Sequence, residues 1–451
     1  MSLLIKNGRI IDPSQNLDIT GDVLIADGKI QKIITDASTP LSNRSLSLDD
    51  RSLSGAEEKS TFDATGLVVS PGLIDIHVHL RVPGQEYKED MQTGTAAAAR
   101  AGVTTVCTMP NTKPPIHNRS VVKEILQRAQ EEGNGVKVLP IGSVSIDNKN
   151  EQLSEMAELL AAGVIAVSDD AFPLQDAGFT RRVFQYAKTC DTIVMLHCED
   201  TSLTGGGHAG VGKGGGVMNE GIVSQQLGLR GMPAVSEEIA IFKACALAKE
   251  TGARIHILHT STAGGVEQIR RAKNDGINVT AEVCPHHFAI TDEACLGYNT
   301  NAKMNPPLRT QQDIDALIEG LKDGTIDLIS TDHAPHAAHE KELEFDAAPF
   351  GILGLETLLP LGIQCLVEPG HLTLAQLIEK MTWTPAKVFS LSGGTLHEGV
   401  IADVTIFDPN EKWILKAQDM ASKSKNTPFD GREMQGRAKA TIANGEIIWQ
   451  A

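Results

Sequence analysis

The feature that most constrains the fold is a repeated alternation, beginning near Gly66, of short apolar runs with longer stretches of helical periodicity. Apolar runs joined by helical stretches are typical of buried parallel strands and their crossover helices. Eight runs have this character, at residues 73–78, 103–108, 136–141, 164–167, 192–196, 254–258, 277–283 and 326–330. Helical patterns between them include residues 94–101, 121–132, 153–161, 236–250 and 314–321. Eight β-α repeats predict an α/β chain that folds as a (β/α)8 TIM barrel over residues 71–390.

The two chain ends have a different pattern, of short strands separated by turn signals. Residues 1–70 contain Asn7-Gly8, Asp12-Pro13 and Asp27-Gly28 between apolar segments, and the pattern returns over residues 391–451. We predict that both ends complete one small β-sandwich beside the barrel. The polar run at residues 36–61 is predicted to be a loop or disordered, and the glycine-rich stretch at 205–216 a mobile loop at the barrel mouth.

Composition narrows the classes of partner. The chain carries a formal charge of -17, which would repel nucleic acids and anionic membranes, so we expect neither as a partner. No apolar stretch approaches the roughly 18 residues of a membrane-spanning helix, and no signal-peptide pattern opens the chain. The seven cysteines include no C-x-x-C pair, which is typical of reduced thiols. We therefore expect a cytoplasmic protein that acts on a small molecule.

Residue types that bind metal ions follow five of the eight predicted strands. His77 and His79 close the first run, Asp169 and Asp170 follow the fourth, His197 the fifth, His259 the sixth, and Asp332 with His333 the eighth. Active sites of such barrels lie at the carboxyl ends of the strands, and buried charges need a partner or a metal ion. Imidazoles and carboxylates in this number suit zinc and leave room for two ions that share a carboxylate.

Four segments combine these residues with others of distinctive spacing. They are Asp75-Ile76-His77-Val78-His79-Leu80-Arg81, Met109-Pro110-Asn111-Thr112, Lys303-Met304-Asn305-Pro306-Pro307-Leu308-Arg309 and Thr331-Asp332-His333-Ala334-Pro335-His336. Together they resemble bacterial class I dihydroorotases of the amidohydrolase superfamily. The resemblance extends over nearly the whole chain in the family's order. Each motif alone is shared with related cyclic amidases.

The resemblance implies a set of six metal ligands that hold two Zn²⁺ ions. The implied ligands are His77, His79, Asp170, His197, His259 and Asp332. Asp170 is the implied bridge and is preferred to Asp169 because its spacing to His197 matches the family. Many relatives use a carboxylated lysine as the bridge, but residues 163–172 contain no lysine. The chain is therefore similar to the branch that uses aspartate.

The resemblance also implies the reaction, which is the reversible hydrolytic opening of (S)-dihydroorotate to N-carbamoyl-L-aspartate in de novo pyrimidine biosynthesis. A metal-activated hydroxide would attack, with Asp332 as general base and then general acid. The residues implied to contact substrate are His79, Arg81, Asn111, Asn305, His336, Phe350 and Gly351. Arg81 suits a planar carboxylate because a guanidinium donates two parallel hydrogen bonds. A homodimer and association with aspartate transcarbamoylase are further expectations from the family.

Two other interpretations remain open. Another cyclic amidase, such as an allantoinase or hydantoinase, would usually have the bridging lysine and lack Arg81. A non-catalytic dihydroorotase-like scaffold would lack ligands. Val82 departs from the family pattern, which usually has an acidic residue at this position. An apolar side chain here would remove a polar contact behind the metal ligands and leave the ligands themselves unchanged. His286 and His287, after the seventh run, are interpreted as structural. The remaining candidates are expected on the surface or in loops: His117, His208, His339, His371 and His397.

Overall fold

The computed structural model describes residues 2–35, 59–205 and 215–451. All eight predicted apolar runs contribute to a closed barrel of parallel strands. The barrel strands are Leu73–Val78, Val103–Thr108, Lys137–Pro140, Val167–Ser168, Ile193–Leu196, Arg254–Ile257, Val279–Val283 and Leu328–Ile329. Gly142–Ser143 extends the third strand and pairs with the fourth. His333, after the eighth strand, bridges back to Val78 of the first and closes the barrel.

Helices follow the barrel strands along the chain, as β-α repeats require. The longer ones are Met91–Arg100, Arg119–Glu132, Met156–Ala162, Ala177–Thr189, Ala234–Thr251, Ala263–Asn274, Gln311–Asp323 and Leu374–Met381. Shorter ones are Thr201–Thr204, Ile222–Leu227, Pro285–Ala289, Ala338–Lys341, Leu358–Gly362 and Trp383–Val388. Capping residues set their ends. The first helix begins before the predicted residue 94 because Asp90 accepts a hydrogen bond from the backbone of Thr93.

Helices and strands pack through apolar side chains. Phe184 and Ile241 of two helices share one buried cluster with Val194 and Ile257 of the fifth and sixth barrel strands. This packing holds the strands in register, so that their carboxyl ends open on one rim. No helix of the described residues is both long and apolar enough to cross a lipid bilayer.

The predicted association of the two chain ends is present as one eight-stranded sheet. Its strands are Ser2–Asp12, Leu17–Ala26, Lys29–Thr35, Lys59–Asp63, Val68–Pro71, Val404–Ile414, Glu433–Ala443 and Glu446–Gln450. The strand Val68–Pro71 joins the ends, because it pairs in parallel with Ser2–Asp12 and antiparallel with Val404–Ile414. Ile5 and Ile10 from one end and Val404 and Ile442 from the other share an apolar cluster.

Several predicted boundaries differ from the structure. The fourth apolar run, predicted at 164–167, contributes only Val167 to its strand Val167–Ser168, and the eighth, predicted at 326–330, contributes only Leu328–Ile329. Val164 and Ile326 are buried before their strands begin, so an apolar run overestimates the paired length. The loop prediction for 36–61 was wrong at 59–61, which start a strand. Its remainder, and residues 206–214 of the glycine-rich stretch with His208, lie outside the described residues.

Candidate active site

The six implied metal ligands meet at the carboxyl ends of the barrel strands. Asp170 lies at the centre, with its two carboxylate oxygens facing different pairs of imidazoles. Oδ2 is 3.8 Å from Nε2 of His77 and 3.5 Å from Nε2 of His79. Oδ1 is 3.4 Å from Nδ1 of His197 and 3.5 Å from Nε2 of His259. A carboxylate with one oxygen toward each pair has the arrangement of a ligand shared by two cations.

Asp332 completes the group from the end of the eighth strand. Its Oδ1 is 2.8 Å from Nε2 of His79 and 3.4 Å from Nε2 of His77. Two triads of donor atoms are compact enough to hold a metal ion, one formed by His77, His79 and Asp332, the other by His77, Asp170 and His259.

The hydrogen bonding of these side chains fits metal ligation. Nε2 of His77, Oδ2 of Asp170, Nδ1 of His197 and Nε2 of His259 are all buried and have no hydrogen-bond partner. Buried polar atoms are nearly always satisfied, so four unpartnered atoms facing one another need an explanation. Divalent cations between them would provide it, and imidazole nitrogens with carboxylate oxygens are donors that suit zinc.

The pKa values of the two neighbouring aspartates agree with metal ligation by Asp170. Burial alone would raise the pKa of Asp170, but the nearby imidazoles of His197, His259 and His77 outweigh it and hold that pKa well below the usual value. Asp170 is therefore ionised, as a metal bridge must be. For the adjacent Asp169 burial dominates and raises the pKa to about 7.

Asp169 and Asp170 have different roles, which sequence spacing alone could only suggest. Oδ1 of Asp169 accepts a 2.8 Å hydrogen bond from the backbone nitrogen of His197, and Oδ2 accepts one from Leu174. Asp169 thus ties the end of the fourth strand to the end of the fifth, while Asp170 faces the imidazoles.

A second layer of carboxylates orients the imidazoles. Glu282 of the seventh strand accepts a 2.6 Å hydrogen bond from Nδ1 of His77 and lies 3.2 Å from Nε2 of His256. Burial alone would raise the pKa of Glu282, but His77 and His256 lower it far below its usual value. A carboxylate behind a histidine fixes which ring nitrogen faces a metal. Glu282 was not among the predicted site residues, although a glutamate in an apolar strand indicates a buried partner.

Glu199 is a second supporting residue that was not among the predicted site residues. Its Oε2 lies 3.3 Å from Nε2 of His197 and accepts a 3.0 Å hydrogen bond from Nδ2 of Asn305. Its Oε1 accepts a hydrogen bond from Thr204, beside the glycine-rich stretch. One carboxylate therefore contacts both an implied metal ligand and an implied substrate contact. Its position two residues after His197 was the available signal.

Three of the implied site residues have unusual backbone conformations. Arg81, His259 and Asp332 have φ values of 61°, 31° and 47°. Residues other than glycine adopt this left-handed region at a cost of roughly 1–3 kcal/mol, and such strain is common at functional sites. Each of them lies two or three residues beyond the end of a barrel strand.

The centre opens into a cavity of about 410 Å³. Its wall includes every residue implied to contact substrate, namely His79, Arg81, Asn111, Asn305, His336, Phe350 and Gly351. Arg81 is buried, its Nε donates a hydrogen bond to the carbonyl of Pro335, and Nη2 lies 3.3 Å from Nε2 of His336. Burial lowers the pKa of Arg81 from its usual value, although Asp332 and Asp170 act in the opposite direction.

The asparagines of the wall are held by the site itself. Oδ1 of Asn111 accepts a 2.9 Å hydrogen bond from Nδ1 of His79, which keeps Nε2 of that ring toward the carboxylates. Asn305 is held through Glu199. Both amides lie beside the centre and line the cavity.

Two buried lysines shape the wall that carries Phe350 and Gly351. Nζ of Lys303 donates to the carbonyls of Phe345 and Ala348, and Nζ of Lys341 donates to that of Pro349. Gly351 has a φ of 151°, and a Cβ there would lie 2.6 Å from the carbonyl oxygen of Ala334. Glycine is therefore required at this close approach.

Other sequence candidates lie apart from the centre. Val82 is buried among apolar side chains, so it adds no polar contact. His117 and His371 are partly buried, and His339 and His397 are exposed. His286 and His287 are buried in the helical turn that follows the seventh strand and belong to neither donor triad of the centre.

Hydrolases of the amidohydrolase superfamily gather imidazoles and carboxylates at the carboxyl ends of their barrel strands, beside a sheet made from both chain ends. This chain has that arrangement and is such a hydrolase. A family model described as dihydro-orotase-like matches residues 66–264. Proteins named dihydroorotase from Geobacter metallireducens and Citrifermentans bemidjiense are each 48% identical to this chain, over 100% of this chain and 100% of each relative. The chain therefore belongs to the dihydroorotase family.

Solved structures with a similar fold carry related names. The L-hydantoinase (dihydropyrimidinase) from Arthrobacter aurescens is 26% identical with a TM-score of 0.83, over 99% of this chain and 96% of that chain. A dihydropyrimidinase from Brevibacillus agri has a TM-score of 0.82 at 23% identity, over 100% of this chain and 95% of that chain. The second similarity concerns the fold alone.

Proposed function

We propose that the chain is a dihydroorotase, which catalyses the reversible hydrolytic opening of (S)-dihydroorotate to N-carbamoyl-L-aspartate in pyrimidine biosynthesis. The observation that carries the proposal is the environment of the Arg81 side chain. Its guanidinium is buried at the cavity wall and forms no salt bridge with any carboxylate of the described residues. A buried cation without an anionic partner is costly, and a substrate carboxylate would remove that cost. Dihydroorotate has a carboxylate, whereas hydantoin and allantoin have none.

We also propose that the centre holds two Zn²⁺ ions through His77, His79, Asp170, His197, His259 and Asp332, with Asp170 shared. The support is the donor set and its four unpartnered buried atoms. When bound, such ions lower the pKa of a water molecule toward about 7 and polarise a carbonyl group.

Asp332 is the proposed proton carrier. Its carboxylate lines the cavity, and its contact with His79 holds it in place. It takes a proton from the attacking water as the new C–O bond forms at the ring carbonyl. It then returns that proton to the ring nitrogen as the C–N bond breaks, so that the nitrogen leaves neutral. The same groups run the reverse reaction.

Arg81, Asn111, Asn305 and His336 are proposed to orient the substrate. Arg81 can donate two parallel hydrogen bonds to the carboxylate, and the asparagine amides add donors beside it. Phe350 and Gly351 lie on the wall where backbone groups can meet the edge of the ring, together with His79.

The test is the turnover of dihydroorotate by freshly purified protein at neutral to alkaline pH, with metal content measured on the same sample. Hydantoin and allantoin are the control substrates. Turnover of dihydroorotate alone, with zinc bound, is the expected result. Preferential turnover of hydantoin or allantoin would mean that the substrate is that cyclic amide and not dihydroorotate. Bound metal with no turnover of any of them would point to a different cyclic amide, whereas protein that binds no metal and turns over none of them would favour the non-catalytic scaffold.

Further proposals follow from family membership and composition. We propose a domain division at 1–70, 71–390 and 391–451, a cytoplasmic location, a homodimer, and association with aspartate transcarbamoylase. Light scattering of the chain alone, and with the transcarbamoylase added, tests the last two directly.

A further inference from the structure

Beyond the candidate centre, the described residues contain one other compact group of metal-binding side chains. Cys284, His286 and His287 each place a donor atom within 4.8 Å of the others, and all three are buried. Cys284 directly follows the seventh barrel strand, and the histidines lie in the single helical turn Pro285–Ala289. None of the three is among the ligands proposed for the Asp170 centre.

Each of the two histidines has a buried ring nitrogen without a hydrogen-bond partner. Nε2 of His287 lies 2.9 Å from the carbonyl oxygen of Pro306 and must donate to it, because a carbonyl only accepts. In a neutral ring Nδ1 then carries the lone pair, and this buried atom has no partner. Nε2 of His286 is likewise buried and unpartnered. A ring whose other nitrogen donates to a backbone carbonyl is the usual form of a metal-bound histidine.

We propose that Cys284, His286 and His287 bind a divalent transition-metal ion of the zinc class, at a site separate from the Asp170 centre. Thiolate and neutral imidazole are the donors that zinc and cobalt prefer. In a tetrahedral zinc site such donors are roughly 3.3–3.6 Å apart, so the three donor atoms, which lie within 4.8 Å of one another, would draw together when an ion binds.

The charge states of the three side chains determine how many protons are released when the ion binds. Burial lowers the pKa of His286 well below its usual value and that of His287 to about 3, so both rings are neutral, as ligation requires. Burial raises the pKa of the Cys284 thiol, so the thiol is protonated before an ion binds. Binding therefore breaks the S–H bond and releases its proton to the solvent, and a sulfur–metal bond forms in its place.

The site would reinforce one wall of the cavity. The carbonyl that accepts from His287 belongs to Pro306, the neighbour of Asn305. An ion here would join the end of the seventh strand to the segment that carries Asn305. Its role is structural, since no donor of this group lines the cavity.

Cobalt distinguishes this site from the Asp170 centre, because only a thiolate ligand gives Co²⁺ a strong charge-transfer absorption in the near ultraviolet. The full chain is stripped of metal, reloaded with excess Co²⁺ and desalted, and its spectrum and metal content are measured without substrate. The wild-type protein is expected to show the thiolate band and to hold about one ion per chain beyond the two of the Asp170 centre.

Cys284→Ser should abolish the band and remove that additional ion, while Cys198→Ser should keep both. Cys198 is the matched control because it is buried and adjacent to His197. The proposal is overturned if the loaded wild-type protein shows no thiolate band, if the band survives Cys284→Ser, or if Cys198→Ser removes it. Should Cys284→Ser fail to fold, His286→Gln must weaken the band, and an unchanged band overturns the proposal. The readout is independent of turnover, so it stands or falls separately from the dihydroorotase assignment.

Discussion

Glu282 accepts a 2.6 Å hydrogen bond from Nδ1 of His77, and this contact directs Nε2 of the same ring toward Asp170 and Asp332. The backbone nitrogen of His259 also lies 3.3 Å from Glu282, so one buried carboxylate supports two of the proposed ligands. Through its contacts with His77 and His259, Glu282 of the seventh barrel strand links the ends of the first and sixth strands at the rim that carries the centre.

Glu282→Gln is expected to weaken metal binding about 10- to 100-fold, because the amide cannot hold the imidazole as a carboxylate does. Competition with a chelator measures the affinity. Glu267→Gln, on the surface of the helix Ala263–Asn274, is the control and should leave affinity unchanged. Equal affinities for the two variants would show that Glu282 does not support the ligands.

Asp332→Asn is expected to lower the rate of dihydroorotate hydrolysis roughly 100- to 10,000-fold, because an amide cannot take a proton from water. The folded state should persist, as judged by circular dichroism. Asp315→Asn, on the helix Gln311–Asp323, is the matched control and should be fully active. More than a few per cent of residual activity in a metal-loaded Asp332 variant would remove it as the proton carrier.

Arg81→Met is expected to raise the KM for dihydroorotate about 10- to 100-fold, because hydrogen bonds to charged groups contribute about 1.5–3 kcal/mol. Steady-state kinetics with Arg181→Met as control check this, since Arg181 pairs with Glu250 on the surface. Arg81→Lys should recover only part of the loss, because an ammonium cannot donate two parallel hydrogen bonds. An unchanged KM would place the carboxylate elsewhere in the cavity.

Lys341 makes stability depend on pH. Burial lowers its pKa from 10.5 to about 7 in the folded protein. Between these values the unfolded chain holds more protons on this group, so its contribution to the free energy of unfolding increases with pH. The slope is at most about 1.4 kcal/mol per pH unit.

Lys341→Met should remove that contribution and flatten the stability curve between pH 7 and 10. Urea unfolding at several pH values measures it, with Lys322→Met on the surface as control. Parallel curves for the wild-type protein and the Lys341 variant would mean that the lysine titrates normally.

Much of the fold was predictable because its signals are local. An apolar run marks each barrel strand whether or not its partners are known, and all eight runs contribute to the barrel. Boundaries were less accurate, since burial continues beyond the paired residues at Val164 and Ile326. The alternation of side chains likewise predicted that His77 and His79 share a face, and both rings face Asp170. The roles proposed for these side chains remain predictions for experiment.

By itself, the sequence determined the order of strands and helices and the positions of imidazoles and carboxylates at strand ends, because periodicity and chain spacing are properties of neighbouring residues. Only the tertiary structure decided that Asp170 rather than Asp169 faces the imidazoles, that Glu282 and Glu199 stand behind them, and that Arg81 lacks a carboxylate partner among the described residues. These contacts join residues far apart in the chain. They depend on which strands become neighbours across the barrel, and that follows from closing the whole sheet.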